Sequence, residues 1–274
     1  MAGVPVFIKY TDANPFTIGI VRLLIASVLI IGYMIITGEK IPVRGYHIRK
    51  LMLIGFVFSV HWITYFYGIK MATASIGILG ASTYGIHLII LGWIFLSAKP
   101  RIIDIFAIIL AFIGTYIIIP EFSLNNDITL GLILSIISGL FFALLPILHQ
   151  KNQSLSGTQR AFGQYVFAIP LFLIFLNKFD FDLKQTDWYS LLYLGVVGTF
   201  LAHSLWINVT TKLHTAISSL IFYAIIPMTM TISYIWLDED MSFNKILGAF
   251  TIVTANVIGI LSRIYKSKLK VEIN

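Results

Sequence analysis

Long apolar runs separated by short polar stretches organise this chain. They predict nine helices, at Phe16–Ile36, Leu51–Ile69, Ala72–Leu96, Ile102–Ile119, Leu130–Leu148, Ala161–Leu176, Leu191–Val209, Ala216–Leu237 and Ile246–Leu261. Each is near the length that crosses a bilayer core, roughly 20 residues at about 1.5 Å of rise per residue. A backbone in hydrocarbon must satisfy its own hydrogen bonds, which makes such runs helical. Met1 to Ile8 is apolar but too short to cross, and these first residues lack the basic start and cleavage site of a secretory signal. Pro227 falls in the middle of its run, where it removes one helical hydrogen bond and predicts a bend near the bilayer centre.

The two halves of the chain follow one plan at a spacing of 142 residues. Lys9 meets Lys151, Phe58 meets Phe200, His61 meets His203 and Lys70 meets Lys212, while Thr73 and Ala74 meet Thr215 and Ala216. Arg22 meets Gln164. Lysine and histidine recurring at matched places inside apolar segments point to a duplication of a five-helix unit. An odd number of helices per unit makes the repeats inverted in the membrane. The expected organisation is a first repeat over residues 1–120, a second over 128–265 and a basic tail over 266–274. On that register the first helix keeps only its last third, which predicts nine full spans plus a short N-terminal remnant and a chain that starts late.

Composition supports the membrane reading. Hydrophobic residues make up 58% of the 274 and charged residues 11%, against about a quarter charged in a soluble domain. Cysteine is absent, which excludes disulfides and thiolate metal sites. The net charge of +7 does not indicate nucleic acid, because the basic residues lie between the spans. Placing Arg263, Lys266, Lys268 and Lys270 in the cytoplasm puts them with Lys40, Arg44, Arg49, Lys50, Lys99, Arg101, Lys151, Arg160 and Lys212, 13 in all. The opposite side holds 5, namely Lys9, Lys70, Lys178, Lys184 and Lys245. This asymmetry predicts a cytoplasmic C-terminus.

Pro227 in the penultimate run, Glu239 in the acidic corner Asp238–Asp240, Gly248 early in the last run and a small residue at Ala255 or Asn256 form a pattern. Together with Arg22 in the stretch IVRLLIA, it resembles the EamA family of drug/metabolite transporters. The resemblance implies an all-α polytopic carrier of small metabolites or amino acids in a bacterial cytoplasmic membrane. The first half departs from the pattern, with Gly85 and Ser97 at the places matching Pro227 and Glu239.

Several polar residues inside the spans are candidates for a substrate cavity. A central arginine is costly in a membrane, about 2.5–3.5 kcal/mol on insertion scales. Arg22 either snorkels to an interface or caps a helix end, or else faces a cavity and meets a substrate carboxylate. His61 shares a helical face with Tyr65, and His203 with Trp206. With Trp62 and Asn208, these matched faces form an aromatic, polar pocket if they meet across the pseudo-twofold axis. Tyr84 and His87 share a face of the next helix, and Tyr223 and Asn256 are candidates from the last two. Each of these groups also has a purely structural reading, as a bond to a neighbouring helix or part of an interfacial aromatic belt. Pro227 and Gly85 are the hinge candidates.

No Asp or Glu falls deep in a run: Asp104 is near an end, and Glu121 and Asp238–Asp240 lie outside. Proton coupling then needs a carboxylate in the missing part of the first helix or a histidine in its place, and facilitated exchange or uniport fits the sequence equally well. Motifs for hydrolases, nucleotide binding or zinc catalysis are absent, so no enzyme, cofactor or metal is expected. The expected function is an exporter or exchanger working by alternating access. The alternative is a scaffold or sensor with a degenerate transporter fold. Expected partners are a small-molecule substrate and the lipid bilayer, with a homodimer left open.

Overall fold

The computed structural model describes residues 1–42, 45–96, 102–118, 123–212 and 215–272; within these, the side chains of residues 96, 104, 212, 215–221, 259–260 and 262–272 are left out. Arg44, Ser97, Lys99, Arg101, Glu121 and Asn274 lie outside the described residues, as do the side chains of Asp104, Lys212 and the basic tail. The described elements are all helical: α1 (Gly3–Tyr10), α2 (Pro15–Thr37), α3 (Gly45–Met71), α4 (Ala74–Ala81), α5 (Tyr84–Leu96), α6 (Ile102–Ile118), α7 (Asp127–Lys151), α8 (Gly157–Val166), α9 (Ile169–Leu173), α10 (Gln185–Tyr193), α11 (Ala202–Lys212), α12 (Thr215–Leu237) and α13 (Phe243–Glu272). A π-helical segment, Leu194–Leu201, joins α10 to α11. Among the described residues, five helical stretches are long and apolar enough to span a membrane: Pro15–Thr37, Gly45–Met71, Ala74–Phe95 (through the turn between α4 and α5), Asp127–Lys151 and Gln185–Thr211 (through the π-helical segment). Shorter apolar helices run over Ile105–Ile118, Phe222–Leu237 and Phe243–Ile258.

Two runs that read as single helices are divided. The run at Ala72–Leu96 is interrupted between α4 and α5, where Ser82 Oγ donates to Leu79 O at 2.6 Å and Thr83 Oγ1 to Gly80 O at 2.7 Å. Hydroxyls that return to the preceding turn compete with the helix ladder. The run at Ala161–Leu176 breaks between α8 and α9, at the turn before Pro170, which has no N–H to offer. Ser59 Oγ of α3 reaches Ala168 O there, at 3.1 Å. A side chain on Gly55 would collide with the Phe167–Ala168 backbone, so the absence of one lets α3 cross directly over the break.

Small residues set the helix crossings, as expected where lipid supplies no hydrophobic drive between helices. Gly68 and Gly80 lie on Ser135 of α7, and Gly114 of α6 faces Gly248 of α13. The helix ends gather at two faces. On one, here the corner face, Lys9 Nζ donates to Lys70 O and Ala72 O at 2.9 and 2.7 Å, and Lys70 Nζ donates to Thr11 O. These ammonium groups meet carbonyls left open at helix C-termini. On the opposite face Arg160 Nη1 donates to His149 O at 2.7 Å, and Gln159 Nε2 to Lys40 O at 2.9 Å.

Candidate functional site

The site begins on α3. Phe58, His61, Trp62, Tyr65 and Phe66 recur at helical spacing and form a buried aromatic face. The His61 and Tyr65 rings lie 5.7 Å apart and nearly parallel, and His61 is stacked on Phe142 of α7 at 4.8 Å. Ser138 Oγ sits 2.7 Å from His61 Nδ1, which fixes the imidazole.

Arg22 of α2 enters this face from the side. It is fully buried, and its guanidinium carbon lies 4.2 Å from the Trp62 ring centre and 5.0 Å from that of Phe66. It neither snorkels nor caps a helix end. Its Nε donates to Thr199 Oγ1 at 3.0 Å. Thr199 in turn donates to Leu194 O, five residues back, at 2.8 Å. That bond belongs to the π-helical segment, a distortion often found at functional sites. Arg22 Nη1 and Nη2 have no partner among the described residues.

The residues converge on one cavity of about 50 Å³, lined by Arg22, His61, Trp62, Tyr65, His203 and Phe222 among others. This is room for a few waters, since one needs roughly 10–15 Å³. His61 and His203 share the cavity, with Phe58 and Trp62 next to His203 at ring separations of 5.2 and 5.8 Å.

The remaining candidates stand elsewhere. Tyr84 is a layer behind the wall, its ring 5.1 Å from Phe142 and 5.3 Å from Phe222. Trp206 stacks on the far side of Phe142 and lines a separate cavity of about 10 Å³ with His149 and Gln164. His87 bonds the Gly139 backbone. Asn208 donates to Ser204 O at 3.0 Å and lies against Gly157. Tyr223 donates to Asn256 Oδ1 at 2.6 Å, and the buried pair packs on Gly85. Pro227 lies inside α12, which runs through it without interruption, and its exposed ring lines a cavity between α12 and α13.

Sequence reasoning missed Thr199, Ser138, Phe142 and Phe222. Thr199 and Ser138 are hydroxyls in apolar runs, a weak signal, whereas the two phenylalanines match ordinary core. Glu239, at the corner between α12 and α13, is buried and accepts from Ala74 N at 2.6 Å and Ser75 N at 3.1 Å. It caps the first turn of α4, where the backbone donors and helix dipole favour an anion.

The family model for EamA-like transporters matches residues 1–119 and 129–261. The chain belongs to the EamA-like transporter family. With its several long apolar helices it is an integral, multi-pass membrane protein. Among similar proteins, the Bacillus subtilis (strain 168) protein named "Uncharacterized transporter YxxF" is 21% identical over 273 residues, covering 97% of this chain and 88% of that protein. Another from the same strain, "Uncharacterized transporter YetK", is 24% identical over 259 residues, covering 88% and 77%. A protein of known crystal structure shares the fold at a TM-score of 0.70 with 12% identity, over 94% of this chain and 92% of that one.

Proposed function

We propose that this EamA protein carries small polar metabolites or amino acids across the bacterial cytoplasmic membrane by alternating access, as an exporter or exchanger with its C-terminus in the cytoplasm. The observation that carries this reading is the cavity itself, whose wall draws on both matched regions: Arg22, His61 and Trp62 from the first, Phe142, His203 and Phe222 from the second. A site at the interface of two repeats is the arrangement in which rocking of one against the other changes access. The bond from Glu239 to the start of α4 supports the same reading. It ties the α12–α13 corner to the helix whose next turn places Ile78 and Ala81 in the cavity wall. Releasing it frees that wall to move.

The test is metabolite profiling of cells with and without the protein, followed by counterflow of each altered compound in proteoliposomes. The expected result is a compound whose distribution shifts and which exchanges only when the protein is present. Proteoliposomes that exchange none of the altered compounds would overturn the reading.

A further inference from the structure

We infer that the cavity selects small organic carboxylates with an apolar body, in preference to zwitterions and neutral amides; the inference rests on the cavity being the substrate site and narrows the cargo proposed above to its metabolite branch, away from amino acids. Among the described residues, Arg22 is the one Lys, Arg, Asp or Glu side chain on the cavity wall, and it is wholly buried. An arginine does not give up its proton in a protein, so this is a fixed positive charge. The buried carboxylates among the described residues are both committed elsewhere. Asp187 accepts from Thr11 Oγ1, Asp12 N and Lys184 N, and Glu239 accepts from Ala74 N and Ser75 N.

The geometry of Arg22 leaves one edge free. Trp62 and Phe66 cover the guanidinium plane, and Thr199 takes Nε. What remains is the pair Nη1 and Nη2, both buried and without partners among the described residues. Two parallel N–H groups match the two oxygens of one carboxylate. A buried charge that the protein does not pair is strongly unfavourable, and an incoming carboxylate supplies the missing counter-charge.

The rest of the wall decides what the carboxylate is attached to. Tyr65, Phe142, Phe222 and Ile225 favour an apolar body. An α-ammonium group would lie beside the guanidinium with no acidic side chain to receive it. This separates a simple carboxylate from an amino acid.

The experiment uses the full chain in nanodiscs of zwitterionic lipid, with binding read by calorimetry and thermal shift. The probes are 4-methylpentanoate, its amide, leucine and sodium chloride; the acid is larger than the cavity of about 50 Å³, so its entry requires the wall movement proposed above. The expected result is that the acid binds at least tenfold more tightly than the amide or leucine, and that chloride competes only weakly. Arg22→Gln is expected to lose at least tenfold for the acid and to leave the amide unchanged, with Arg22→Lys restoring part of the difference. Equal binding of acid and amide, a preference for leucine, or chloride competing as an equal would each overturn the inference. So would failure of every probe to bind. If Arg22→Gln does not fold, the comparison of probes on the native chain decides alone. Counterflow of a compound without an acid preference would sink this inference while leaving the transporter reading intact. An Arg22-dependent acid preference without flux would do the reverse.

Discussion

Glu239 Oε1 accepts a hydrogen bond from Ala74 N at 2.6 Å, across 165 residues of chain. Its second oxygen takes Ser75 N at 3.1 Å, so one carboxylate holds two of the open donors at the start of α4. Glu239→Gln removes the charge and turns a donor toward one of those N–H groups. Leaving a buried donor unsatisfied costs about 1–3 kcal/mol. The purified variant is expected to melt at a lower temperature than the native chain, and Glu239→Asp to recover less than half of the loss because its shorter side chain cannot reach both donors. A Glu239→Gln protein with unchanged melting would show that the corner is not held by this contact.

Gly85 has a packing role that its place opposite Pro227 in the repeat did not suggest. A β-carbon there would overlap the Tyr223 hydroxyl and lie 2.6 Å from Asn256 Oδ1. Gly85→Ala is therefore expected to break the buried Tyr223–Asn256 bond and destabilise the protein by about 1–3 kcal/mol, the usual cost of overpacking. Removing the hydroxyl with Tyr223→Phe should relieve much of this, so the double variant should be more stable than Gly85→Ala alone. Thermal melting of the three variants checks it, and simple additivity would refute the clash.

Pro227 leaves the Tyr223 carbonyl without its regular partner four residues on. Its ring is exposed, and Thr231 Oγ1 donates to Pro227 O at 2.9 Å, one turn further along. Pro227→Ala restores the ladder without filling or emptying the core. It is expected to insert and melt normally while losing most transport of whichever compound counterflow identifies. Wild-type flux in the alanine variant would remove the hinge role.

The two faces of the bundle give a topology test free of background, because the chain has no cysteine. Lys40 and Asp182 are both exposed and lie on opposite faces. Lys40→Cys is expected to be protected from an impermeant maleimide in intact cells, and Asp182→Cys to be labelled. The reverse pattern would invert the orientation drawn from the basic residues.

The matched histidines show how far the repeat can be read and where it stops. His61 and His203 occupy equivalent places and line one cavity. Their helical neighbours Tyr65 and Trp206 do not follow the same rule: Tyr65 lines that cavity, while Trp206 turns behind Phe142 into another. Asn208, one turn from Ser204, spends its amide on that residue's carbonyl. Sequence spacing places a side chain on a helix. It does not say toward which neighbour that helix is rotated.

Apolar run length, the lack of charge and the Lys/Arg distribution by themselves determined that this chain is a helical membrane protein. They did so because hydrocarbon admits few backbone solutions, and those depend on local composition. The EamA pattern around Pro227, Glu239 and Gly248 was legible for the same reason, being carried by residues close in sequence. Only the tertiary structure decided that Arg22 meets Thr199, 177 residues away, that Glu239 caps α4, and that Gly85 admits Tyr223. Those contacts depend on how closely the helices cross and how each is turned. Both are set by small residues such as Gly55, Gly68 and Gly114 touching backbones remote in the chain, which leave no periodic trace in the sequence.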